Sequence, residues 1–148
     1  MPTPSGPTSG DYEPSPWEFV ADTVQQYEAT GGREGGTLEG KPCVILTTTG
    51  RHTGKLRKTP LMRVEHDGTY AVVASMGGAP KHPVWYLNLL ASPAVTFQDG
   101  DEVSERRARI VEGDEKREWW ARAVDVWPSY DEYQAATDRE IPVIVLET

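Results

Sequence analysis

Apolar side chains recur at helical spacing through Trp17, Val20, Ala21, Val24 and Tyr27, which predicts an amphipathic helix. TGGREGGTLEG, Thr30 to Gly40, ends it with five glycines. PCVILTTT then runs apolar and β-branched without a break to Thr49, the pattern of a strand buried on at least one face, and Gly50 and Gly54 mark a turn. LRKTPLMRVEH alternates in part, and His66-Asp67-Gly68 reads as a hairpin turn into TYAVVAS. After the glycine loop MGGAPKHP, the apolar positions Trp85, Leu87, Leu89 and Leu90 predict a short helix, with Pro83 near its first turn and Pro93 at its end. AVTFQ and EVSERRARIVEG flank Asp99-Gly100, a second hairpin whose outgoing strand is charged on one face. Asp114 is the predicted N-cap of a helix with the apolar stripe Trp119, Trp120, Ala123 and Val126 or Trp127, closed by Pro128. Tyr130 and Tyr133 fall on a short helical piece, and IPVIVLE is a terminal strand. Hairpins dominate this order, so the expected class is α+β and mostly antiparallel, a barrel with helices packed outside rather than a doubly wound sheet.

Composition narrows the class. Residues 1–16 hold five prolines among Ser, Thr and Gly, which predicts a disordered tail ahead of one domain over 17–148. A net charge of −8 argues against nucleic-acid binding, because phosphate affinity needs a basic surface. Cys43 is the only cysteine and lies on the apolar strand, so neither a disulfide nor a Cys/His metal site is expected. No run is apolar enough to span a bilayer and no signal peptide is recognisable, which predicts a cytoplasmic protein.

Within this acidic chain, TTTGRHTGKLRKTP is a basic island. Arg51, His52, Lys55, Arg57 and Lys58 crowd a turn and the strand leaving it, with Arg63 just beyond. Pairing with surface carboxylates is one explanation. The other is an anion site, because the Thr53-Gly54 turn exposes backbone N–H groups beside arginine forks. P-loop and GxGxxG spacings are both absent. ASMGGAPKHP lets backbone approach a planar or phosphorylated ligand at Ser75, Gly77, Gly78 and Ala79, with Lys81 at its end. In WPSYDEYQ, Trp127, Tyr130 and Tyr133 are spaced to share a helical face, either as core or as a wall over a flat ligand, and a tyrosine hydroxyl there could donate a proton. No strong nucleophile accompanies these residues, which suits an enzyme whose cofactor carries the reaction.

The segments LTTTGRHTGKLRKTPL, VVASMGGAPKHPVWYLNLLASP and WPSYDEYQAATDREIPVIV resemble the deazaflavin-dependent nitroreductases and quinone reductases of actinobacteria. The resemblance implies a split β-barrel related to flavin-binding oxidases and the reduced 8-hydroxy-5-deazaflavin coenzyme F420. It further implies that Arg51, Arg57 and the turn at Thr53 and Gly54, with His52, Lys55 and Lys58, hold the phosphate and acidic tail of the coenzyme. Pro60, Leu61, Val73, Ala74, Ser75, Met76, Gly77 and Gly78 would line the ring, and Lys81, Trp85 and Asn88 would support the tail or that loop. The acceptor would lie near Met62, Ser75, Trp127, Tyr130 and Tyr133, with a proton from Tyr130, Tyr133, Ser75 or water. His52 and Met76 stand where relatives often carry lysine, and Met62 and Trp127 where the nitroimidazole-activating member carries tyrosine. The function implied is hydride transfer to a quinone, nitroaromatic or activated enone. An FMN-binding reductase on the same fold, a non-catalytic deazaflavin carrier or sensor, and a basic patch for a protein partner are the alternatives. Peripheral contact with a membrane through the tail or the Trp17 helix is a further expectation, and the sequence leaves the oligomeric state open.

Overall fold

The computed structural model describes residues 11–38 and 40–148. Among the described residues four α-helices, α1 (Glu18–Thr30), α2 (Val84–Ala91), α3 (Gly113–Val126) and α4 (Ser129–Ala135), accompany eight strands. The strands are β1 (Thr37–Leu38), β2 (Lys41–Thr49), β3 (Leu56–Met62), β4 (Val64–His66), β5 (Thr69–Val73), β6 (Ala94–Asp99), β7 (Glu102–Ile110) and β8 (Val143–Glu147). All named pairings are antiparallel, in the order β3-β2-β6-β7-β8-β5-β4, with β1 capping the start of β2. The two ends of this ladder, β3 and β4, are neighbours in the chain, so the sheet must curl into the expected split barrel, here a half-barrel with an open seam along β3.

Burial on both faces explains why the sequence shows continuous apolar runs instead of strict alternation. Val44 and Leu46 of β2, Val95 and Phe97 of β6, Val72 of β5 and Ile144 and Leu146 of β8 point into the barrel, which Trp85, Tyr86 and Leu89 of α2 plug. The opposite faces are covered too. Cys43 and Ile45 meet Val24 and Tyr27 of α1, while Ala71, Val73, Val143 and Val145 meet Trp119, Ala123 and Tyr130 of α3 and α4. The Tyr27 hydroxyl ties α1 to the sheet, accepting the Gly100 N–H at 2.7 Å and donating to the Cys43 carbonyl at 3.1 Å.

Several local expectations shift. LRKTPLMRVEH is two strands broken at Arg63, where the chain leaves β2 for β5; the Arg63 guanidinium is anchored on Asp99 at 3.0 Å. Asp67 and Gly68 form the first hairpin turn, both at positive φ (51° and 81°). Asp99 pairs with Glu102, so the second turn is Gly100-Asp101, one residue later than expected. Glu112, not Asp114, occupies the N-cap of α3, and Asp114 acts within its first turn, where a carboxylate favours the helix dipole. Of the residues assigned to the tail, 1–10 lie outside the described residues, and 11–16 run beside β3, with Tyr12 bridging Leu56. Trp17 is exposed (69%) rather than packed, as is its neighbour Phe19 (73%), and α1 buries Thr23, Val24 and Tyr27.

Candidate active site

A groove of about 860 Å³ follows the open seam, within the range of a cofactor pocket. One wall is β3, from Arg57 through Lys58, Thr59, Pro60 and Leu61 to Met62. Beyond Leu56, β3 is the last strand at this edge, which is why it tolerates Pro60. The floor is Val73, Ser75, Met76 and Gly77 at the end of β5, with Trp85 and Asn88 from α2. Trp127, Tyr130 and Tyr133 close the far side, and Trp17, Phe19 and Val20 of the α1 region border the mouth.

Most of the expected site residues therefore share one groove. The exceptions have stated places. Arg51, His52, Thr53, Gly54 and Lys55 form the exposed tip of the β2–β3 hairpin, closed by hydrogen bonds from Gly50 N–H to the Lys55 carbonyl and from Gly54 N–H to the Gly50 carbonyl, each 2.8 Å. Asn88 connects this tip to the groove: its side-chain oxygen accepts the Arg51 N–H at 3.1 Å, and its amide donates to Thr48 Oγ1 at 3.4 Å. Ala74 is fully buried beneath the floor, and Lys81 is exposed outside the lining. Gly78 packs against α4, where a Cβ would come within 2.9 Å of the Tyr133 carbonyl oxygen.

The basic island divides. Glu13 pairs with Arg57 and, at 3.6 Å, with Lys55; Lys58 pairs with Glu28 and stands 4.8 Å from the centre of the Tyr12 ring. Among the described residues no carboxylate pairs with Arg51, His52 or Lys81. Surface pairing thus accounts for Lys55, Arg57 and Lys58 but not for Arg51 or His52.

The aromatic wall is ordered by its own contacts. Tyr130 and Tyr133 meet edge to face at 6.1 Å, and the Trp127 indole N–H donates to the Tyr133 hydroxyl at 3.3 Å. No acceptor among the described residues takes the Tyr133 O–H, which can therefore donate. Burial first, then the neighbouring Tyr133, pushes the Tyr130 phenol well up, so it stays a neutral hydroxyl.

Arg139, absent from the expected set, braces the floor from below. Its Nε donates to the Ala79 carbonyl at 2.8 Å, and its Nη atoms donate to Ala74 at 3.1 Å and Ser75 at 2.6 Å. Only the pairing of this basic side chain with carbonyls sixty and more residues away reveals it, and spacing along the chain carries no such signal.

A curled antiparallel half-barrel with an apolar groove and a basic lip along its seam places the chain in the split-barrel class. The family follows from comparison: residues 20–148 match the model of the F420H(2)-dependent quinone reductases, and the chain belongs to that family. It is accordingly an oxidoreductase that works with reduced coenzyme F420. An F420H(2)-dependent quinone reductase of Mycobacterium tuberculosis is 36% identical over 124 residues, 81% of this chain and 83% of that protein. A solved F420-H2 dependent reductase is 56% identical, with a TM-score of 0.68 over 72% of this chain and 94% of the other. A third similar structure, described as a domain-swapped dimer, is 49% identical with a TM-score of 0.71, covering 85% of this chain and 92% of that one.

Proposed function

We propose that this protein reduces quinones, the coenzyme ring lying on the floor of the groove and the acceptor between that ring and the aromatic wall. The observation that carries this is the groove itself: about 860 Å³, walled by Leu61, Met62, Val73, Trp85 and Trp127, with Arg57 and Lys58 at one end. Apolar walls suit a flat ring, and the basic end suits an anionic tail, so the residues present fit the coenzyme.

When bound, reduced deazaflavin supplies a hydride, which nothing else in the groove can provide. The protein's part is to bind, orient and protonate. Arg57, Lys58 and the hairpin tip with Arg51 hold negative charge at the basic end. Pro60, Leu61 and the Ser75–Gly78 backbone fix the plane of the ring, and Asn88 holds the tip in register with the floor. Tyr133 Oη donates a hydrogen bond to the acceptor oxygen as charge develops there, its own lone pair already occupied by Trp127. Ser75, a residue of the floor, offers its hydroxyl as a second donor. Nitroaromatics and activated enones, also flat and electron-poor, are further acceptors for the same geometry.

Exposed Trp17, Phe19, Met76 and Val84 border the mouth, an apolar rim through which an acceptor could enter from a lipid surface. None of the described helices is long and apolar enough to cross a membrane.

The test is oxidation of reduced F420 by the purified protein with a menadione-type quinone. Turnover that falls about tenfold or more in Arg57→Ala supports the assignment. Tight binding without turnover on any quinone would instead mean a carrier, and a bound chromophore with the mass of FMN would mean a flavin enzyme.

A further inference from the structure

Arg139 holds a positive charge where no carboxylate answers it among the described residues. It sits between α4 and β8, and its segment is stapled to α4 by Gln134, whose amide donates to the Arg139 carbonyl and accepts the Ile141 N–H, each at 2.9 Å. Its guanidinium faces three backbone carbonyls, Ala74, Ser75 and Ala79, and lies 3.1 Å from His82 Nδ1. Burial and the charge of Arg139 both disfavour protonation of His82, so that nitrogen accepts. Even partial burial of a guanidinium without a counter-ion is unfavourable, and its fixed fork of donors lets one side chain hold three carbonyls spread over six residues.

What the grip secures is an unusual backbone. Ser75 is right-handed (φ −80°, ψ −39°), and the next three residues, Met76, Gly77 and Gly78, have φ of 47°, 65° and 83°. For methionine this is a strained conformation that persists only if its surroundings hold it. A right-handed residue followed by a left-handed one also turns successive N–H groups toward one side, the geometry of an anion-binding nest. Because a trans peptide points its N–H opposite its C=O, carbonyls of Ala74 and Ser75 drawn to Arg139 send the Ser75 and Met76 N–H groups away from it. Ser75 and Met76 line the groove, and no acceptor among the described residues takes either N–H.

We infer that Arg139 is a positioning residue: by holding the Ala74, Ser75 and Ala79 carbonyls with an unneutralised charge, it aims and polarises the Ser75 and Met76 N–H groups toward an electron-rich edge of the flat coenzyme ring. The ligand in this statement rests on the function proposed above; the grip on the loop does not.

The experiment therefore has a ligand-free arm and a coenzyme arm, with Arg139→Gln and Arg139→Lys in the full chain. In ligand-free Arg139→Gln, amide exchange at Ser75 to Gly78 should accelerate at least tenfold while exchange in β2 and β6 stays as in wild type. Fluorescence titration with oxidised F420 should then give a Kd at least tenfold weaker, with Arg139→Lys recovering part of the affinity through charge alone. KM for the coenzyme should rise more than kcat falls. Unchanged loop exchange with unchanged Kd in Arg139→Gln overturns the inference. Faster loop exchange with unchanged Kd leaves the grip but overturns its role toward the ligand. Wild-type protein that does not bind F420 overturns the proposed function and this role with it, while the exchange data still decide the grip. Should Arg139→Gln not fold, the wild-type Arg139 Nε–H resonance serves: protection from solvent and a shift on adding F420 support the role, and neither overturns it.

Discussion

The carboxylate of Glu13 rests on the guanidinium of Arg57, so a residue from the segment ahead of α1 occupies a cation at the end of the groove. The same carboxylate reaches Lys55. An anionic tail arriving at this end must displace or share it. Glu13→Gln should therefore bind F420 more tightly at low ionic strength, by roughly fivefold for an exposed pair worth about 1 kcal/mol, with the gain shrinking as salt rises. Fluorescence titration at two salt concentrations measures both; weaker binding in the variant would show that Glu13 serves the ligand instead of opposing it.

Tyr133 and Tyr130 should behave differently although they sit three residues apart. Tyr133→Phe removes a donor and leaves the Trp127 N–H without its acceptor, so kcat with a quinone should fall by about tenfold, the cost of one hydrogen bond in a dry site. Tyr130 is buried and its phenol is pushed well up, so it does not ionise in the neutral to mildly alkaline range. Wild type and Tyr130→Phe should show the same alkaline shape in their pH–rate profiles, whatever their absolute rates.

Gly78→Ala combines two faults. Its φ of 83° suits glycine, and the added Cβ would lie 2.9 Å from the Tyr133 carbonyl oxygen and 3.0 Å from Tyr133 Cα. The floor loop and α4 must separate, which costs about 1–3 kcal/mol and lowers Tm by roughly 2–10 °C. Since both elements line the groove, calorimetry should show the loss of stability and titration a weaker hold on F420.

Acid should loosen the same loop. Burial, and then the charge of Arg139, lowers the His82 pKa below 6.5. The unfolded chain thus takes a proton before the folded one does, so this contribution to stability is complete above about pH 6.5 and is lost as pH falls through the lowered value. Tm measured between pH 7 and 5 should decline more in wild type than in His82→Gln.

The sequence made the barrel legible where burial leaves a local mark. PCVILTTT is apolar at successive positions because α1 covers one face of β2 and the barrel core the other. Asp67-Gly68 is a turn because both residues tolerate positive φ. The break at Arg63 was invisible, since it is set by which neighbour each half pairs with, β2 or β5, and a strand-like pattern continues across it. Helix α1 misled in a similar way: Trp17 and Val20 are in phase with Val24 and Tyr27, but the helix begins beyond the edge of the sheet, so its first turn faces the groove mouth. For the groove, the resemblance brought together residues that three distant segments supply. Arg139 escaped because its partners are backbone carbonyls, which carry no residue identity to read.

Cys43 shows a last consequence. Quinones take hydride, but they also alkylate thiolates, so a protein that handles them risks inactivation by its own acceptors. The only sulfhydryl in this chain lies behind α1 at 2% exposure, and burial pushes its pKa up to about 11. It is neither reachable nor nucleophilic at neutral pH. The chain therefore presents no reactive thiolate to an electrophilic acceptor.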